Sequence, residues 1–225
     1  MIRKTILTVV VVAVAAATAS AQSPRVELSG TAGWTFSDGV SGSAVVVPGI
    51  GTFDRIDPKD AFSWGARLGF NVTPNVEVGF LFNEQSTKLE AGGTTTLDIA
   101  DLKVYNYHGY LAYNFGDEDA KARPYILGGL GATRYGNVTL ANINGENVQI
   151  GGKSKFATTW GAGLKFYPSP KVGAKFQARY TPTNIKDTAD EWVCAPYLPV
   201  TCAAGGVNHQ YASQLEFTAG LFLRF

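Results

Sequence analysis

The chain has 225 residues, among them 26 glycines, 13 phenylalanines, 10 tyrosines and a single methionine, Met1. Its 19 basic residues nearly balance 18 acidic ones, which excludes the basic footprint of a nucleic-acid binder. Beyond the first twenty-odd residues no stretch is apolar enough for a membrane-spanning helix, so any crossing must be made by strands, which are apolar on one face only.

Arg3 and Lys4 precede an apolar run from Ile6 to Ala17, and Ala19-Ser20-Ala21 closes it with small residues. This is the pattern of a secretory signal peptide cleaved before Gln22. The run falls short of the roughly 20 residues that a spanning helix needs. The expected division is therefore a signal peptide over 1–21 and one β domain over 22–225. Losing Arg3 and Lys4 takes the 19 basic residues to 17 against 18 acidic.

The mature part alternates with period two, the mark of amphipathic strands. Val26 to Phe36 sets Leu28, Trp34 and Phe36 against Glu27, Ser29 and Thr35. Phe62 to Val72 sets Phe62, Trp64, Leu68 and Phe70 against Ser63, Arg67 and Asn71, and Thr73-Pro74-Asn75 then makes a tight turn. A third strand opposes Val76, Val78, Phe80 and Phe82 to Glu77, Gly79 and Asn83, with Leu81 interrupting the polar face. A fourth, about Lys103 to Phe115, places His108 and Tyr110 on the polar side. Gly116 to Arg123 reads as a polar turn. Pro124 to Tyr135 is a fifth strand whose glycines leave its facing open. Phe156 to Tyr167 and Val172 to Tyr180 are the sixth and seventh, joined by Pro168-Ser169-Pro170. The eighth, Tyr211 to Phe225, has Leu215, Phe217, Leu221, Leu223 and Phe225 on one face and Gln214, Glu216 and Arg224 on the other.

The connections alternate between short and long. Ser37–Ala61, about Glu84–Asp101, Asn137–Lys155 and Pro182–Gln210 are the long ones. Lys88 to Leu97, around Gly92-Gly93, reads as the third and fourth strands continuing past the membrane. Aromatics gather toward both strand ends, as the two girdles of a membrane barrel do. The predicted fold is all-β: an eight-stranded antiparallel up-and-down transmembrane β-barrel in the outer membrane. An even strand count puts both termini on the short-turn, periplasmic side and the four long loops outside.

Three features carry a family resemblance: the alternating last strand that ends on Phe225, the run Arg123-Pro124-Tyr125 with Gly128-Gly129-Leu130-Gly131, and the short/long alternation. On these the chain resembles the eight-stranded OmpA-like barrels, including the small OmpX-type proteins, over Val26 to Phe225. The resemblance implies that the terminal strand, with Phe217, Leu221, Leu223 and Phe225, is read by the barrel-insertion machinery. It matches the barrel alone and not the periplasmic peptidoglycan-binding domain of OmpA, so anchoring to the cell wall is not carried over.

The inward phase carries Glu27, Arg67, Glu77, His108, Lys165, Lys175, Arg179, Glu216 and Arg224, with Gln177. An eight-stranded barrel is just wide enough for side chains to fill it. Buried charges must be paired, so a packed polar plug is expected, and any leak through it would prefer anions. Glu216 is expected to pair with Arg179, at equal height on the neighbouring strand, or failing that with Lys175. The OmpA-like family also has a salt-bridged interior.

No catalytic residue, metal or cofactor is predicted. A lipid A deacylase of this barrel type has Ser two residues after its His; that position after His209 is Tyr211. A lipid A palmitoyltransferase of this type needs an apolar lumen, unlike the charged one here. Cys194 and Cys202 in the last loop are expected to form one disulfide. Trp192, Tyr197 and Leu198 between and beside them are candidate contacts for an extracellular ligand. Asp54, Asp57 and Asp60 read as a solvated acidic patch rather than a calcium site. The expected partners are outer-membrane lipid and the insertion machinery, with no nucleic acid and a monomeric state.

Overall fold

The computed structural model describes residues 26–38, 40–47, 51–93, 97–141, 147–150, 152, 154–184 and 211–225. The signal segment, Trp192, Cys194, Tyr197, Leu198, Cys202 and His209 lie outside the described residues, and so does the expected disulfide.

Among the described residues twelve strands follow one another: β1 (Val26–Asp38), β2 (Val40–Val47), β3 (Gly51–Pro58), β4 (Ala61–Asn71), β5 (Val76–Gly93), β6 (Leu97–Asn114), β7 (Ala122–Tyr135), β8 (Val138–Ala141), β9 (Asn147–Ile150), β10 (Ser154–Phe166), β11 (Val172–Asn184) and β12 (Tyr211–Arg224). Eight of them close a ring in the order β1, β4, β5, β6, β7, β10, β11, β12 and back to β1, and each neighbouring pair is antiparallel. This is the expected up-and-down barrel. Closure leaves no free edge, so each wall strand has hydrogen-bonding partners on both sides, as a lipid setting demands. The ring is sealed where the chain ends: Phe225 N donates to Val26 O at 2.9 Å, and Val26 N to Phe225 O at 3.2 Å.

The outward phase is apolar on every wall strand. Trp34, Phe62, Phe80, Leu130, Trp160, Phe176, Phe217 and Leu221 are all exposed. Water-soluble monomers rarely expose so continuous an apolar surface, and a lipid environment accounts for it. Phe225 sits in the same outward phase and is 69% exposed. Phe82, Tyr105 and Tyr107 pack ring against ring with Trp64 on the long-connection side of this band. Tyr113 and Phe115 pair on the short-turn side.

Two of the long connections hold more regular structure than expected. β2 and β3 form a hairpin inside the first, and β3 adds to β5 along Leu89–Gly93. β8 and β9 form a hairpin inside the third. β5 and β6 stay paired up to Ala91 and Leu97, the expected extension past the membrane. The acidic patch is corrected in part: Asp57, on β3, is buried rather than solvated, because β3 is paired to β5 there. Asp60 accepts from Ser37 N at 3.0 Å.

The facing of β7 is now defined. Arg123, Tyr125, Leu127, Thr133 and Tyr135 point inward, and Ile126 and Leu130 outward. Arg123 therefore does not belong to a solvated turn. It opens β7 with its guanidinium buried, giving hydrogen bonds to the carbonyls of Asn114 (3.3 Å), Phe115 (3.4 Å) and Gly116 (3.2 Å). The turn itself is made at Gly116, whose φ of 81° suits a residue without a Cβ.

Candidate functional site

The lumen is filled with polar side chains because each wall strand sends every second residue inward. Among the described residues nine buried charged side chains point in from seven of the eight strands, six basic and three acidic. All eight charged residues predicted for the lumen are among them. The ninth is Arg123, hidden in the sequence at the end of a polar turn.

Glu77 on β5 is the hub. Its Oε1 accepts from Arg67 Nη2 at 2.9 Å and from Tyr110 OH at 2.5 Å, and its Oε2 meets Lys165 Nζ at 2.5 Å. Lys165 also reaches Glu27 Oε2 at 2.8 Å. Lys165 stands on β10, three strands round the ring from both β5 and β1, so these bonds cross the bore. Arg67 Nη1 donates to Gln177 Oε1 at 3.0 Å, which also accepts from Tyr125 OH at 2.9 Å. The Arg67 guanidinium lies 4.2 Å from the centre of the Tyr110 ring. Room for Tyr110 comes from two inward glycines. A Cβ at Gly69 or at Gly79 would fall 2.7 Å or 2.6 Å from its hydroxyl.

Toward the long connections, Arg179 Nη2 meets Glu216 Oε2 at 2.8 Å, and the two residues are direct cross-strand partners. Past this pair the inward residues are neutral. Asn106 Nδ2 donates to Gln214 Oε1 at 2.9 Å across the full width of the barrel, and Gln214 Nε2 to Gln85 Oε1 at 2.9 Å. Thr133 Oγ1 donates to Asn106 Oδ1 at 2.6 Å, and Thr183 Oγ1 to Thr133 Oγ1 at 2.9 Å. Leu89, Leu102, Val104 and Tyr135 form a buried apolar layer above them.

The remaining predicted lumen residues lie apart from the hub. Lys175 donates to Ser29 Oγ. Arg224 stacks over Tyr167 at 5.0 Å. Among the described residues, neither these two nor Arg123 has a carboxylate partner. His108 is fully buried, and neither ring nitrogen has a hydrogen-bond partner among the described residues. Ser63 Oγ donates to Glu216 at 3.5 Å rather than to a histidine. Among the described residues no cluster of His, Cys, Asp or Glu could hold a metal ion. What the arrangement does chemically is tie opposite walls together through charge-assisted bonds, the stronger class of hydrogen bond.

The fold has known counterparts. Neisserial surface protein A superposes with a TM-score of 0.52 at 14% identity, covering 89% of this chain and 97% of that one. OprG from Pseudomonas aeruginosa does so with 0.57 at 11% identity, over 90% and 97%. The outer membrane protein AlkL gives 0.51 at 12% identity, over 93% and 94%. At such identities the likeness is one of fold. No curated protein matches the sequence. The model of the outer membrane protein beta-barrel domain family matches residues 5–225, nearly the whole chain. With a closed eight-stranded wall, an apolar outer face and a filled polar bore, the chain belongs to that family of outer-membrane β-barrels.

Proposed function

We propose that this protein is a structural barrel of the outer membrane with a closed bore, and that any contact it makes outside the cell is made by its long connections. The observation that carries this reading is the set of bonds across the lumen, centred on Glu77, which fills the bore from wall to wall. Loops carry recognition because they vary while the scaffold holds them. Trp192, Tyr197 and Leu198 supply the apolar anchors such a contact needs. Its partners are membrane lipid, the insertion machinery that reads Phe217, Leu221, Leu223 and Phe225, and an extracellular ligand. Both termini face the periplasm, the protein is monomeric, and it catalyses nothing. Planar-bilayer recording tests the closed bore: the mature protein should add no steady conductance, and reproducible single-channel steps would sink the reading. Deleting the long connections one at a time and screening for surface binding identifies the one that makes contact.

A second reading, a narrow anion path, is favoured by the six-to-three excess of buried inward cations over carboxylates. The same recording decides it, since an anion path would give steps with a reversal potential set by the anion gradient.

A further inference from the structure

The excess positive charge has a location. A cavity of about 20 Å³ opens in the lumen among Thr31, Arg67, Asn83, Lys175, Arg179 and Glu216. That volume suits a single particle close to a water molecule in size. Three basic side chains line it against one carboxylate, and Arg67 is paired with a second, Glu77, outside it, so Lys175 is the one without an ion-pair partner among the described residues. Glu216 is already engaged by Arg179 Nη2, which leaves Arg179 Nε and Nη1 buried without a hydrogen-bond partner among the described residues. Arg67 Nε is in the same position, although both of its terminal nitrogens are used. Lys175 is 1% exposed, and Ser29 Oγ, a neutral acceptor, is its bonding partner. A buried ammonium without a counter-charge is strongly disfavoured. A water in the cavity would supply an acceptor but no charge.

We propose that this cavity is a binding site for one small inorganic anion of the halide class, held by Lys175, Arg179 and Arg67. A monatomic anion fits the volume, accepts from every direction at once, and offers no hydrogen that would need an acceptor among three cations. Oxyanions such as sulfate are too large for it. The ion is a fixed counter-charge of the plug, and the site stands whether or not the bore conducts.

Crystals of the full mature chain grown in bromide test the site directly. The expected result is an anomalous peak between Lys175 and Arg179. Peaks confined to the protein surface, with water in the cavity, would overturn the proposal. In solution, urea unfolding in lipid bilayers is compared in chloride and in gluconate at equal ionic strength. At ten times the halide dissociation constant the folded-to-unfolded ratio should rise about elevenfold over gluconate, which cannot enter. Identical unfolding in the two salts would count against the site. Gln177→Glu separates an ion-specific effect from general salt screening. Its carboxylate keeps the acceptor used by Arg67 and Tyr125 and brings a covalent negative charge to the cavity wall. This variant should fold and lose the chloride dependence. A folded Gln177→Glu protein that kept the full dependence would place the halide effect elsewhere and refute the assignment.

Discussion

The two halves of the lumen hold the same barrel by different chemistry. On the short-turn side, ion pairs and aromatic rings meet around Glu77. Beyond Arg179 and Glu216, threonine hydroxyls and the amides of Gln85, Asn106 and Gln214 span the bore without a formal charge. The difference is one of tolerance. A buried ion pair offers little net stability over an apolar substitute, yet removing one member strands the other at high cost. A neutral hydrogen bond contributes modestly, and losing one costs the desolvation of a single polar group. The charged half should therefore respond to single substitutions abruptly, and the neutral half by small steps.

Glu77→Ala gives the sharpest contrast. It strands Arg67, takes one of two carboxylates from Lys165, which keeps Glu27, and leaves Tyr110 OH without its acceptor, so a loss near the upper end of about 3–5 kcal/mol is expected. The urea midpoint in lipid vesicles reads it. Glu216→Ala strands one cation, Arg179, and should lie near the lower end of the same range of about 3–5 kcal/mol. The double change Arg179→Met with Glu216→Leu should recover most of that loss, because the cost lies in the unpaired charge. If the double variant were as unstable as Glu216→Ala, packing rather than charge would explain the effect. In the neutral half, Gln214→Leu leaves Asn106 and Gln85 each short of one partner, and a loss of about 1–3 kcal/mol is expected. A loss equal to that of Glu77→Ala would erase the distinction between the halves.

Much of this barrel is legible in the sequence, because period-two alternation reports facing directly. The Arg179–Glu216 pair follows from counting: Arg179 lies nine residues above Pro170 and Glu216 nine before Phe225, which sets both at one height on neighbouring strands. Partners across the bore are not legible in this way. That Lys165 reaches Glu77 and Glu27 depends on how the tilted strands stagger around the whole ring, and no local turn reports that. β7 is silent for a different reason. Gly128, Gly129 and Gly131 remove the side chains that would declare its phase, and the inward Arg123 is masked by the charged residues just before it. β2 and β3 lack a clean alternation of their own, and pairing to β5 organises that hairpin, whereas β8 and β9 are four residues each, too short for their alternation to stand out.

Outside the membrane band the contrast ends in a third region, the exposed rim, where charge should matter least. Lys59 Nζ meets Glu90 Oε1 at 2.7 Å and Asp98 Oδ1 at 3.5 Å, and Lys88 Nζ meets Asp98 Oδ2 at 3.0 Å. The hydrogen bond from Lys88, with the nearby charges of Lys59 and Lys88, holds the Asp98 carboxyl below its ordinary range. The hydrogen bond that Lys59 gives to Glu90, with the charges of Asp98 and Glu90, pushes the Lys59 ammonium above its own. The signs are opposite. Asp98 titrates lower in the folded state, so its contribution is present above the ordinary aspartate pKa and is lost as pH falls through the folded value. Lys59 titrates higher, so its contribution is complete below the ordinary lysine pKa and is lost as pH rises through the raised one. Between those limits the rim contributes a constant amount. Water and salt screen these exposed pairs, unlike the Glu77 hub. Asp98→Asn should therefore shift the urea midpoint only slightly at neutral pH. The shift should shrink further in high salt and vanish when the pH is taken below the folded Asp98 pKa. A midpoint change as large as that of Glu216→Ala, or one insensitive to salt, would mean that the rim is shielded from water and that the β5–β6 extension carries more of the stability than its exposure implies.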